Sequence, residues 1–540
     1  MKPSRKNVNF IFDFFVLIIL AYSFYLSFVY STYHIDPWHW GTITSEAVDY
    51  INGFKLFKDI TLMYGPGMPI LFKIINYIYP VNYFTVGIIT SLFYIFNLFI
   101  CYLILLKLSD KIISTILLFI LFILNPYPQV PWSDYFAGTC LTLFIYFLID
   151  LRENYLKLYL SGFFLFLSIV FRNTYLISIL PSILLFILLM SFTNNKINQK
   201  ILKIIYSFIF FLIIFFVILF ITENLQLWFD QGIGRSRDYF QYDYSLIYNP
   251  LTKFIYYLLI PKTLGNFLFL LIYIINFIFL NLIIFSKKNL IIKLNKEYLL
   301  ILSSFGLFGV LQSFDQFEIW RNINSSICIF FVTAYILNYF KNRFVISLNY
   351  FGIFILLFGI IFMTPNPFFN TKYPTLIFPT FGHMDHKDFR EIQSDPKKVY
   401  WEWKKYSKND FKTVDINFFN SHRFSEENII YYQNMKNLIC NYNKIINFTM
   451  DRTLAYICDK KNSIVSTFSD RYPPIFFNKE IQNKIENGDI DNQTIILADI
   501  EFKNNDLKLL KIQKIPLYTR FSKGALYRRY FDNEIYIYVK

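Results

Sequence analysis

Three carboxylates follow the first apolar segment of the chain. They are Asp36, Glu46 and Asp49. Glu46 and Asp49 stand three residues apart on a predicted short helix at 44–52, which places them on one face, where both can point to the same side as Asp36. A carboxylate can accept the proton of a hydroxyl group while that oxygen forms a new bond. We therefore interpret these acids as candidate catalytic residues, with Asp36 as the general base.

Residues able to contact a polar ligand surround the three acids. They are Trp38, His39, Asp59 and Tyr64. Pro37 restricts the backbone after Asp36, and Gly65-Pro66-Gly67 interrupts the chain before an amphipathic segment at 68–79. Two structural alternatives stay open, because Asp59 can accept a backbone N–H and the tryptophans of this loop can anchor helices at a membrane interface. The stretch is typical of a loop that holds a polar substrate at a membrane surface.

Four arginines are candidates for binding a phosphate. They are Arg172, Arg235, Arg237 and Arg321. Cations stabilise the charge that develops on a phosphate leaving group. Arg235 and Arg237 lie in a glycine-containing polar stretch at 230–238. The alternatives are contacts with lipid headgroups for Arg172 and a salt bridge to Glu318 for Arg321.

The sequence around these residues has the composition of a membrane protein. Its 540 residues are 55% hydrophobic and 16% charged, with a mean hydropathy of +0.40. Soluble domains contain about 25% charged residues, so a soluble enzyme is excluded. Five cysteines without a CxxC motif indicate neither a disulfide framework nor a structural zinc site. Cys440 and Cys458 could pair in an oxidising compartment, or both could be thiols.

Eleven apolar runs predict transmembrane helices, because each approaches the roughly 20 residues that cross a bilayer. They occupy residues 9–30, 82–106, 112–130, 134–151, 155–172, 175–192, 204–222, 264–286, 298–314, 322–340 and 344–364. We predict a polytopic α-helical membrane domain at 1–365, with a first outer loop at 31–66. We predict a soluble extracytoplasmic α/β domain at 366–540.

Basic residues determine the predicted orientation. A cytoplasmic N terminus places 16 of the 25 Lys and Arg residues of segment 1–365 inside and 11 of its 16 acids outside. We expect a multi-pass protein of a bacterial inner membrane, with its C-terminal region on the periplasmic side. The net charge of +15 then indicates no nucleic-acid partner.

The C-terminal region mixes two periodicities. Residues 425–440 begin with Ser425 followed by two glutamates and continue with apolar residues at helical spacing, which predicts a capped helix. Short runs at 495–498, 509–515 and 535–539 predict strands. This pattern underlies the predicted α/β class of that domain.

The first loop resembles that of the GT-C class of polytopic glycosyltransferases, which includes protein mannosyltransferases and aminoarabinose transferases. In a bacterial subset this loop reads approximately D-P-H-H-x-G, then an acidic helix, G-x-x-x-Y-x-D and Y-G-P. The matching positions here are Asp36-Pro37-Trp38-His39-Trp40-Gly41, Gly53, Lys58-Asp59 and Tyr64-Gly65-Pro66. The chain departs from the pattern at Trp38 and Phe57, where the subset has His and Tyr.

The resemblance implies transfer of a sugar from a polyprenyl-phosphate carrier to a lipid, glycan or protein acceptor, with the acid after the first span near the reaction centre. Inversion at the anomeric carbon needs one base, for which Asp36 is the candidate. Some members of this architecture use a divalent cation. Mg²⁺ or Mn²⁺ is therefore the candidate cofactor, with Asp36 and His39 as candidate ligands.

Two other classes stay open from the sequence. One is a transporter or flippase for a lipid-linked saccharide, which would place ionisable residues deep within several spans. The other is an O-antigen ligase or polymerase, which relies on outer-loop Arg and His and lacks an acidic first loop. Nearly charge-free spans and acids concentrated on one face favour surface chemistry over transport.

Overall fold

A computed structural model describes a large part of the chain. The described residues are 5–32, 37–60, 62, 64–125, 128, 131–149, 155–192, 197–234, 264–285, 296–313, 319–340, 411–419, 422–449, 451–458, 463–464, 486–487, 490–498, 501, 505–514 and 534–540. Within them the chain is mostly helical, and strands are found after residue 410. The predicted run at 344–364 lies outside these ranges.

Helices make up most of the described chain before residue 341. In chain order they are α1 Arg5–Ser31, α2 Pro37–Ile51, α3 Gly67–Asn76, α4 Tyr83–Leu108, α5 Lys111–Leu124, α6 Ser133–Ile149, α7 Tyr155–Phe171, α8 Tyr175–Phe192, α9 Gln199–Ile221, α10 Leu225–Phe229, α11 Leu264–Phe285, α12 Lys296–Phe308, α13 Ile319–Ser325 and α14 Cys328–Phe340. Four described helices are long and apolar enough to cross a membrane: Phe10–Phe28 within α1, then α4, α8 and α9. The helical content and these apolar helices agree with a membrane protein.

Two of the predicted runs differ in detail from the observed helices. The run at 298–314 forms α12 and then a 3₁₀ turn, Gly309–Ser313. The run at 322–340 is divided between the short helix α13 and α14. Ser and Asn side chains compete for backbone hydrogen bonds, and Ser325 Oγ donates to the Arg321 carbonyl at 3.0 Å. The polar start of this run therefore forms a separate helix.

The first loop is more helical than its sequence pattern predicts. Helix α2 begins at Pro37, although the predicted short helix starts at residue 44, because proline is well suited to the first turn of a helix. Between α2 and α3 the chain turns at Phe57, whose φ of 67° is in the left-handed region. Gln231 holds this turn, since its amide donates to the Phe57 carbonyl at 2.8 Å and accepts from the Leu62 N–H at 3.0 Å.

Several contacts bring the first loop to one end of the helix bundle. We call it the α2 end, because helix α2, Pro37–Ile51, lies there. Ser31 at the close of α1 lies 3.0 Å from Ser91 of α4, measured between their hydroxyl oxygens. The Asn173 N–H, between α7 and α8, donates to the Tyr64 carbonyl at 2.7 Å. Lys58 Nζ lies 3.2 Å from a carboxylate oxygen of Glu223, just after α9.

The C-terminal region contains a five-stranded mixed sheet. Its elements are β1 Phe411–Thr413, β2 Arg423–Ser425, α15 Glu426–Ile439, β3 Lys444–Phe448, β4 Ser463–Ile464, β5 Thr494–Ala498, β6 Lys508–Lys514 and β7 Glu534–Val539. The sheet order is β4-β3-β5-β7-β6, while β1 and β2 form a separate antiparallel pair. The predicted helix at 425–440 and the three predicted strands are confirmed as elements. A disulfide joins Cys440, after α15, to Cys458.

The C-terminal region packs against the α2 end. The Arg423 N–H donates to the Thr32 carbonyl at 2.8 Å. The rings of Trp40 and His422 lie 5.3 Å apart, and Tyr83 at the start of α4 lies at the same distance from Phe418. The sequence alone does not predict this contact.

Candidate functional site

Helix α2 carries two of the predicted catalytic acids, and both are buried. Glu46 and Asp49 are each 2% exposed. Asp49 Oδ1 accepts a hydrogen bond from the Tyr456 hydroxyl. Tyr456 ends the 3₁₀ turn Arg452–Tyr456 of the C-terminal region. The acidic helix is therefore in direct contact with a residue that the sequence analysis does not single out.

The Asp49 carboxyl has an unusual proton affinity. Burial raises the pKa of Asp49 to about 7, although the hydrogen bond from Tyr456 and the positive charge of Arg452 act in the opposite direction. Desolvation disfavours the charged form of a carboxylate, which explains the direction. A carboxyl that titrates near neutral pH can gain and lose a proton under physiological conditions.

The other predicted residues around the acids are only partly described. Asp36 lies outside the described residues, and for Trp38 and His39 only the backbone at the start of α2 is described. Within the described ranges, no group of three or more His, Cys, Asp or Glu residues is placed to hold a metal ion. The proposed metal role of Asp36 and His39 stays a prediction.

Two of the predicted phosphate-binding arginines come together at the buried carboxylate of Asp134. Arg172 Nη1 lies 3.0 Å from Asp134 Oδ2, and Arg321 Nε lies 4.0 Å from the same oxygen. Asp134 is fully buried, and each arginine is 3% exposed. We call these three residues the arginine cluster.

Polar neighbours from two further chain positions, Gln312 and Thr174, hold the arginine cluster. Gln312 Nε2, in the turn after α12, donates to Asp134 Oδ1 at 2.9 Å and to Thr174 Oγ1 at 3.2 Å. Thr174 also accepts from Arg172 Nε at 3.1 Å. Asp134 lies in the first turn of α6, where the helix dipole favours a negative charge. These side chains set the position of both guanidinium groups.

Aromatic rings form one wall of the arginine cluster. The Arg172 guanidinium lies 4.8 Å from the centre of the Tyr64 ring, and Arg321 lies 5.2 Å from that of Trp132. Tyr64 and Trp132 are themselves 4.7 Å apart. Tyr64, a predicted substrate-binding residue, therefore connects the first loop to the arginines. Such cation–π contacts stabilise a guanidinium away from water.

Three tryptophans are buried inside the protein. Trp40, Trp132 and Trp228 are at most 2% exposed. Trp228 Nε1 donates to Asn173 Oδ1 at 2.9 Å. Their rings therefore pack against other parts of the protein and not on its surface.

The remaining predicted residues have separate outcomes. Asp59 accepts the Lys55 N–H at 2.7 Å, which is the structural role named as its alternative. Arg235 and Arg237 lie outside the described residues. Gly232, three residues before Arg235, packs so closely on Asn173 that an added Cβ would lie 2.6 Å from its Nδ2.

Sequence reasoning did not select Asp134, Gln312 or Tyr456 as site residues. A weak signal exists for Asp134, because it is an acid that directly precedes an apolar run. Gln312 and Tyr456 are polar residues without a motif. Their importance follows from contacts across more than 130 positions of the chain.

The chain matches no protein-family model and no curated protein. The geometry of the arginine cluster and of the acidic helix is thus the basis for functional inference.

Proposed function

We propose that the protein is a membrane glycosyltransferase that moves a sugar from a polyprenyl-phosphate carrier to a lipid, glycan or protein acceptor. The observation that carries this proposal is the convergence of Arg172 and Arg321 at Asp134. Guanidinium groups bind phosphate oxygens through paired N–H donors. Tyr64 links this cluster to the loop that bears the acids.

The chemistry follows from these groups. Asp36 takes the proton of the acceptor hydroxyl while its oxygen bonds to the anomeric carbon of the sugar. The bond between that carbon and the phosphate oxygen breaks, and the carrier leaves as a phosphate. Arg172 and Arg321, together with Arg235 and Arg237, stabilise the charge on that phosphate. Glu46 and Asp49 assist from α2, while Trp38, His39 and Tyr64 bind substrate, and the sugar configuration inverts.

We propose that eleven spans cross a bacterial inner membrane, with the α2 end and the C-terminal domain on the periplasmic side. The disulfide between Cys440 and Cys458 supports that side, because disulfides persist in oxidising compartments. The end of α3 supports an interfacial position for this helix. Tyr77 and Ile78 are 84% and 88% exposed and lie a few residues before α4, a candidate membrane span.

A transfer assay tests the proposed function. Purified protein receives a panel of radiolabelled polyprenyl-phosphate sugars with mixed lipid, glycan and peptide acceptors, with and without EDTA. We expect release of sugar from at least one carrier, abolished in Asp36→Asn and reduced at least a hundredfold in Arg172→Gln. Loss of activity in EDTA that Mg²⁺ or Mn²⁺ restores would assign a metal role. Failure to release sugar from every carrier would contradict the proposal.

An O-antigen ligase or polymerase type of transferase is the second candidate. The arginine cluster favours it equally, since such proteins also use arginines on the outer side. The two candidates differ in their need for an acid in the first loop. A ligase should keep its activity in Asp36→Asn and lose it in Arg235→Ala and Arg237→Ala, whereas the proposed glycosyltransferase requires Asp36.

A further inference from the structure

Buried polar atoms without a hydrogen-bond partner lie near the arginine cluster. They are Gln312 Oε1, Asn324 Nδ2 and Ser326 Oγ, and they lack a partner among the residues that the structure describes. Their side chains are at most 2% exposed. Burial of a polar group without a partner costs free energy, so such atoms usually contact a ligand or water.

Two neighbouring helices place Asn324 close to the cluster. Helices α6 and α13 meet at Asp134 and Arg321, and they meet again where an added Cβ at Gly138 would lie 3.0 Å from Asn324 Cβ. Asn324 follows Arg321 by three residues, and Gly138 follows Asp134 by four. One helical turn is about 5 Å long, so Asn324 lies about one turn further along both helices.

The 3₁₀ turn after α12, Gly309–Ser313, contributes Gln312 and lies against Ser326. An added Cβ at Gly309 would collide with the Ser325 carbonyl and with Ser326 Oγ, so the turn and the end of α13 are in close contact. Gln312, three residues later in the same turn, uses its Nε2 for Asp134 and Thr174. Its Oε1 is the acceptor that is left over.

The three atoms have complementary chemistry. Asn324 Nδ2 donates, Gln312 Oε1 accepts, and Ser326 Oγ can do both. A sugar hydroxyl group also donates and accepts, so adjacent hydroxyls of one ring can satisfy this set. We infer that Gln312, Asn324 and Ser326 form a subsite for the hydroxyl groups of the donor sugar, next to arginines that bind its phosphate. This inference rests on the proposed glycosyltransferase function.

Binding measurements on the full-length protein in lipid nanodiscs test the subsite. The two probes are a polyprenyl phosphate and the same carrier bearing a hexose or pentose from the panel of the transfer assay. We expect Asn324→Leu and Ser326→Ala to weaken binding of the sugar-bearing carrier about tenfold and to change binding of the bare phosphate less than twofold. Gln312 is not substituted because its amide also holds Asp134.

Asn276→Leu is the matched control. Both polar side-chain atoms of buried Asn276 also lack a partner in the described chain, and the residue contacts Gly306, six positions before Gln312. This variant removes the same group at a different place, and we expect both affinities to stay at the wild-type level. Thermal unfolding of each variant verifies its fold.

Each result has a defined consequence. An equal loss for both probes, or no loss for either, in variants that fold would overturn the subsite while leaving the phosphate site in place. A wild-type protein that binds neither probe would overturn the proposed function itself. Selective loss of the sugar-bearing probe in Asn324→Leu and Ser326→Ala, but not in Asn276→Leu, would support the subsite.

Discussion

Asp134 holds Arg172 and Arg321 in a part of the bundle that water hardly reaches. Removal of one member of a buried ion pair typically costs about 3–5 kcal/mol, because the remaining charge loses its partner. We expect Asp134→Asn to destabilise the protein by that amount and to lower the midpoint of thermal unfolding in detergent. The asparagine keeps an oxygen for Gln312, so loss of charge is the main change.

Lys111→Met is the control for that variant. Its ammonium contacts Asp13, whose side chain is 58% exposed, and exposed pairs contribute at most about 1 kcal/mol. A similar shift of the unfolding midpoint in both variants would argue against a special role of the buried carboxylate.

Asp49 gives the contact between α2 and the C-terminal region a pH dependence. Its pKa of about 7 in the folded protein exceeds the unfolded value of about 4, so the folded state binds the proton more tightly. The contribution of protonated Asp49 to the stability of the folded state is complete below about pH 4 and is lost as the pH rises through 7. We expect the amides of the turn Arg452–Tyr456 to exchange faster at pH 8 than at pH 5.5, after correction for intrinsic rates.

Asp49→Asn removes the titrating group and should make the corrected exchange rates independent of pH. In Tyr456→Phe the midpoint should move to higher pH, because the hydrogen bond that lowers the Asp49 pKa is absent. An unchanged pH profile in Asp49→Asn would assign the dependence to another group.

At the scale of elements, the close packing of α3 on α7 positions Tyr64. An added Cβ at Gly67 would lie 2.7 Å from the Phe171 ring and 2.9 Å from its Cα, so Gly67→Ala must push α3 away from α7. Tyr64 precedes Gly67 by three residues and is held by the Asn173 N–H. We expect the hydrogen-exchange protection factor of the Asn173 amide to fall at least tenfold in Gly67→Ala.

Gly53→Ala is a suitable comparison for Gly67→Ala. Gly53 has a φ of 99° and open space around it, so its substitution brings only backbone strain of about 1–2 kcal/mol. Protection at Asn173 should not change in that variant. If Gly67→Ala also leaves it unchanged, α3 does not control the position of Tyr64.

The sequence predicts elements better than it predicts their contacts. Apolar runs near bilayer length anticipate α4, α8 and α9, and short runs anticipate β5, β6 and β7, because both patterns are local. The division of the run at 322–340 into two helices is missed, since a hydropathy pattern does not register side-chain competition for backbone hydrogen bonds at residues 322–326. Helix α15 is anticipated because its sequence signal, Ser425 followed by two glutamates, is local.

For the site, the sequence identifies the chemistry of Arg172 and Arg321 but not their meeting point. Their common partner Asp134 and its neighbour Gln312 are distant in sequence, and only the fold brings them together. The contact of Tyr456 with Asp49 spans 407 positions. Such contacts depend on how complete elements pack, which a single sequence does not encode in any local pattern.

At the scale of the whole molecule, the sidedness of the membrane determines which reactions are possible. Glu46, Asp49, the arginine cluster and the C-terminal region share the α2 end, so one measurement of orientation assigns all of them to one side of the membrane. Cys440 is partly exposed after α15, whereas the free cysteines of the described chain, Cys101, Cys140 and Cys328, are buried. A reagent for thiols can therefore distinguish the C-terminal region from the bundle.

We expect a membrane-impermeant maleimide to label spheroplasts that carry the protein only after mild reduction of the disulfide between Cys440 and Cys458. Reduction exposes a thiol at Cys440, and the periplasmic position gives the reagent access without crossing lipid. Cys440→Ser combined with Cys458→Ser is the control, and it should abolish labelling. Labelling that requires permeabilised membranes would put the α2 end in the cytoplasm. A periplasmic acceptor would then be out of reach of Asp36, so the orientation decides whether the proposed transfer can occur.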